Sequence, residues 1–70
     1  MIFRFYNDEW ELFIQNCGFT DIELEIIPLI RRGWAQIDIA AELCISLRTF
    51  ARHKKRIEDK IIHYISKQTA

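Results

Sequence analysis

The stretch from Gln36 to Ile57, QIDIAAELCISLRTFARHKKRI, limits the fold more tightly than any other part of the chain. Its apolar residues recur at helical spacing on both sides of a break too short for anything but a turn. Residues 36–43 put Ile39, Ala40 and Leu43 on one side of a short helix. Cys44 and Ile45 form the turn. Ser46 offers its hydroxyl to the free backbone N–H groups that open the next helix. From Ser46 onward neither Gly nor Pro interrupts the chain, so the spacing predicts one helix over 47–67. With Phe50 as the inward direction and about 100° per residue, Ile57, Ile61, Tyr64 and Lys54 fall on or near the core face. Arg48, Arg52, Lys55 and Asp59 fall on the opposite one.

Two helices joined by a tight turn, the second one basic, have the layout of a helix-turn-helix DNA reader. Charge distribution agrees with that layout, although the formal net charge is zero. Residues 1–42 carry three basic groups and eight acids, a net of −5, whereas residues 43–70 carry seven basic groups and two acids, a net of +5. Such a split makes one end attractive to phosphate and the other repulsive. Seventy residues fit a single domain spanning 1–70. No apolar run approaches the ~20 residues of a membrane span. The opening MIFRFYNDEW meets acids at once and lacks a signal-peptide core, so a cytoplasmic protein is expected. Cys17 and Cys44 lack a C-x-x-C spacing and read as reduced, partly buried small hydrophobes.

Residues 1–6 are apolar apart from Arg4 and read as an extended arm in preference to the start of a helix. Asn7 is the expected N-cap of a first helix over 8–17, with Asp8, Glu9 and Glu11 at its positive end. Trp10, Phe13, Ile14 and Cys17 form its apolar stripe, and Gly18 ends it. Thr20 to Glu23 matches a capping box for a second helix over 21–32, with Ile22, Ile26, Leu29 and Ile30 inward and Gly33 as the stop. Pro28 removes the bond to the carbonyl of Leu24 and predicts a kink packed against neighbours, or a split. Ala35 is a weak cap for the third helix. Ile37 faces away from Ile39 and Leu43, to be covered by the arm or left on a contact surface. The fold expected is all-α, a bundle of about four helices, with 58–70 as a C-terminal helix extension.

Residues 20–61 resemble the LuxR-type (GerE-like) helix-turn-helix family. The resemblance rests on Thr20-Asp21-x-Glu23-x-Glu25-Ile26-Ile27, then Ile30 and Gly33, then Ile39-Ala40-x-x-Leu43-x-Ile45-Ser46, then Thr49-Phe50-x-x-His53 and Ile57. Region 4 of sigma factors shares the architecture and is a close second, and the layout also resembles small bacterial or prophage regulators. The resemblance implies sequence-specific binding of double-stranded DNA by a transcriptional regulator. It also implies that His53 lies at the core edge near the DNA backbone. The chain departs from the family pattern at four places. Ala35 replaces the usual Ser or Thr, and Cys44 replaces a frequent Gly, which implies a positive φ at that residue. Ala51 stands where Lys is common. The separate G-V-x-x-R helix used for dimerisation is absent as a distinct segment.

A recognition helix starting near Leu47 supplies the candidate DNA-binding residues Leu47, Arg48, Thr49, Ala51, Arg52, Lys54, Lys55 and Arg56. Arg48, Arg52 and Lys55 form the groove-facing set, because the arginine fork matches guanine O6 and N7. Arg52 is central on the stripe. Leu47 and Ala51 suit thymine methyls. Thr49, Lys54, Lys55 and Arg56 suit phosphates, which position without specifying. Trp10, Trp34 and the five Phe read as core, Glu23 and Glu25 as cap and surface, and His63 as surface. No residues at catalytic, cofactor-binding or metal-ligand spacing appear, so the chain does not read as an enzyme. The competing reading is a protein-interaction module of the same fold, binding RNA polymerase or another regulator through the acidic half. A homodimer through Ile61, Ile62 and Ile65 is expected, unless residues 1–6 fold back over that face.

Overall fold

The computed structural model describes residues 4–69, with the side chain of Thr69 outside the description. Among the described residues there are four helices and no strand. They are α1 (Asn7–Asn16), α2 (Asp21–Arg31), α3 (Gln36–Glu42) and α4 (Leu47–Thr69). The bundle is all-α, as expected. Met1 to Phe3 of the expected arm lie outside the described residues. Phe5 is half-buried and packs its ring edge-on against Trp10 and Phe13.

α1 begins one residue earlier than the spacing suggests, so Asn7 is helical and Tyr6 is the N-cap. The Tyr6 N–H donates to Glu9 Oε1 at 2.9 Å, and that backbone donor wins over the Asx cap read from sequence. Asn7 instead accepts from Arg31 at 3.2 Å, which ties α1 to the end of α2. α2 starts at its capping box: the Thr20 N–H donates to Glu23 Oε1 at 2.8 Å and the Glu23 N–H to Thr20 Oγ1 at 3.4 Å. Pro28 does not split α2, which runs unbroken to Arg31. Pro28 and Leu24 are both exposed, so water can solvate the carbonyl that the proline leaves without its helical partner.

α2 and α3 close in the same way. After α2, the Gly33 and Trp34 N–H groups return to the carbonyls of Ile30 and Leu29 at 3.0 and 3.1 Å. After α3, those of Cys44 and Ile45 return to Ala41 and Ala40 at 3.2 and 2.9 Å. This double return needs a left-handed residue in each turn. Gly33 takes it at φ +80° and Cys44 at φ 56°, as the departure from the family pattern implied. Cys44 is exposed, not partly buried.

α4 packs on each of the other three helices. Phe50, Ile57 and Ile61 bury fully against Trp10, Phe13, Ile26, Ile27, Ile39 and Ala40. Leu43 and the turn residue Ile45 are half-buried at the margin of this core. Trp34 is not core: it remains 39% exposed because it follows the α2 cap and leads outward into α3. Twenty-three residues of α4 span ~34 Å at 1.5 Å each. That length accounts for most of the molecule's 38 Å long axis.

Candidate nucleic-acid interface

Ser46 sets where α4 begins. Its Oγ accepts from the Thr49 N–H at 3.1 Å and donates to Thr49 Oγ1 at 3.0 Å. This cap fixes the rotation of the first two turns relative to α3. Phe50 then points inward with 1% of its surface exposed, and the residues about half a turn away point outward.

Arg48, Ala51, Arg52, Lys55 and Arg56 are exposed, and Leu47 is 50% exposed. Thr49 and Lys54 are half-buried. Thr49 is drawn toward Ser46, and Lys54 lies about 40° from Phe50 around the helix. The open stripe is therefore Arg48, Arg52 and Lys55, with Arg56 on one flank and Leu47 and Ala51 on the other. The side chains of Arg48 and Arg52 have no hydrogen-bond or ion-pair partner among the described residues. Lys55 differs, since its Nζ lies 3.8 Å from Asp59 Oδ1 one turn on. That exposed pair is weak, but Asp59 puts a carboxylate at the end of the stripe. His53 is half-buried at the core edge, and its Nδ1 is buried without a hydrogen-bond partner among the described residues. His63 is exposed.

A second polar cluster holds α4 at this rotation, and sequence reasoning missed it. Glu23 makes the capping bond read from the sequence, yet it is also 1% exposed. Its Oε1 accepts from Lys60 Nζ as well as from Thr20. Lys60 also donates to the Gly18 carbonyl at 3.2 Å, so one ammonium ties α4 to the α1–α2 turn. Burial pushes the Glu23 carboxyl up, but the bonds from Lys60 and Thr20 outweigh it and hold the group below the ordinary carboxylate value. Beside it, burial raises the Cys17 thiol against the opposing charge of Lys60. The available signal was the position of Lys60, on the flank of the core face about 80° from Phe50.

Ile61, expected in a subunit contact, is fully buried in the core. It lies only about 20° from the Phe50 direction, so the bundle itself covers it. Ile62 and Ile65 remain 51% and 40% exposed. Ile37 is 64% exposed, so no described part of the chain covers it. Among the described residues no group of His, Cys, Asp and Glu is placed to hold a metal, and no helix is long and apolar enough to cross a membrane.

No family model matches the chain, and no solved structure does. Over 39 residues the chain is 46% identical to the oxygen regulatory protein NreC of Staphylococcus haemolyticus and to the protein of that name in Staphylococcus epidermidis. Identity to its counterpart in Staphylococcus carnosus is 44% over the same length. The match takes in 56% of this chain and 18% of each relative, so the chain spans less than a fifth of the curated proteins it is similar to.

Proposed function

We propose that this chain is a LuxR-like helix-turn-helix module that binds double-stranded DNA in transcription regulation, with α4 entering the major groove from Leu47. The observation that carries the reading is the pair of exposed arginines on the face of α4 turned away from the core, whose side chains have no partner among the described residues. The similarity to a protein named as regulatory supports it. Arg48 and Arg52 read base edges, and Leu47 and Ala51 meet thymine methyls. Thr49, Lys54, Lys55, Arg56 and the edge of His53 lie toward phosphates. The reading takes the chain as a bacterial or prophage regulator acting in the cytoplasm. The unit is the single domain 1–70, paired with a second copy through Ile62 and Ile65 on the 58–70 extension.

Binding to a generic duplex tests the reading. With roughly 4–6 phosphates neutralised per monomer, log K falls against log salt with a slope of about −4 to −5. Absence of binding at about 50 mM salt, or a flat salt response, counts against DNA as the ligand.

One observation favours the competing protein-interaction reading. An open groove of about 750 Å³ is lined by Gly33, Trp34, Ala35, Asp38, Ala41 and Glu42. Its half-exposed indole beside two carboxylates suits a basic side chain of RNA polymerase or another regulator. A chain that ignores DNA at low salt leaves this groove as the working surface.

A further inference from the structure

We infer that the DNA half-site read by α4 contains two guanines no more than about two base pairs apart, one for Arg48 and one for Arg52, beside a thymine. The inference rests on the DNA-binding reading above and specifies its ligand. Arg48 and Arg52 are one helical turn apart, which puts their Cα atoms ~6 Å apart along the axis. Stacked base pairs rise ~3.4 Å. Two forks so spaced reach base edges at neighbouring or next-neighbouring pairs. Both arginines are exposed and their side chains have no partner among the described residues, so neither breaks a described contact to present its fork to O6 and N7.

The rest of the stripe narrows the reading. Lys55 continues it by position, but Asp59 lies 3.8 Å from its ammonium. An ammonium is a point charge without the bidentate match, so Lys55 adds attraction and little choice of base. Asp59 repels phosphate and ends the footprint after about three turns. Leu47 and Ala51 are also one turn apart, on the flank nearer Lys55 than Arg56, and bring only apolar surface. They suit a thymine methyl next to the guanine pair. Within the stripe no Asn or Gln is present to read adenine.

The test is selection of bound duplexes from a random library by the full 70-residue chain, repeated with Arg48→Lys and Arg52→Lys. Affinity for the enriched site is then measured with 7-deazaguanine, which lacks N7, at each guanine in turn. The expected motif holds two guanines within two base pairs. Each Arg→Lys variant loses the preference for one of them by about tenfold, with the salt dependence retained. Each 7-deaza substitution weakens the wild type and leaves the matching variant little changed. Salt-dependent binding without an enriched guanine pair, or a motif unchanged in both variants, overturns the inference while the DNA reading stands. Failure to enrich any duplex at low salt overturns both.

Discussion

Two residues hold conformations or charges that their types resist. Cys44 adopts φ 56° in the turn between α3 and α4, a conformation that costs an L-residue roughly 1–2 kcal/mol and glycine very little. Cys44→Gly should therefore stabilise the fold by about 1 kcal/mol. In a chain this short that raises the melting temperature by roughly 4–8 °C, as a calorimetric scan would read. A variant that melts lower than the parent would place the strain elsewhere. Glu23 is the other case. Its carboxyl is held below the ordinary value of 4.5 by Lys60 and Thr20 despite burial. A depressed carboxyl contributes stability above its unfolded value and loses it as the pH falls through the folded one. The wild type should thus lose stability on acidification below about 4.5. The gap between it and Glu23→Gln should be widest at neutral pH and close in acid. A gap that stays constant with pH would mean that the Glu23 charge is not what matters.

At the scale of elements, α4 divides cleanly into a buried and an open face. Phe50→Ala should cost on the order of 3–5 kcal/mol, enough to unfold a domain of this size. Arg52→Ala should leave thermal unfolding nearly unchanged. Equal melting of the two would show that the inward direction of α4 is misassigned. That direction was legible in the sequence, because Phe50, Ile57 and Ile61 recur at helical spacing within about 20° of one direction, whereas Ile62 and Ile65 lie about 60° or more from it. Thr20–Glu23 and Gly33 likewise marked the limits of α2 in advance. What the sequence could not display was the third dimension of polar contacts. Glu23 satisfies a local capping rule, and that rule is silent about a lysine 37 residues away. Trp34 is apolar by type, yet its position just after a helix cap turns it toward solvent. At α1 a backbone bond to Glu9 outcompeted the asparagine cap that composition favoured.

For the whole molecule, the number of copies acting together follows from the far end of α4. Ile62 and Ile65 leave an apolar strip on a helix whose other face is already packed, and such strips tend to be covered by a partner. Light scattering at tens of micromolar should report a dimer for the wild type and a monomer for Ile62→Lys combined with Ile65→Lys. A monomeric wild type would remove Ile62 and Ile65 from any interface. If the pair forms, the unbroken course of α4 acquires another meaning. Arg52 and Ile65 are thirteen residue steps apart, with no glycine or proline between them, so ~20 Å of stiff rod joins the reading end to the joining end. Two such rods meeting end to end set their readers at most ~40 Å apart, a range that includes the ~34–36 Å of one DNA turn. The helix is then a ruler: inserting or deleting one turn of it would change which half-site spacing the protein accepts while leaving each half-site's sequence the same.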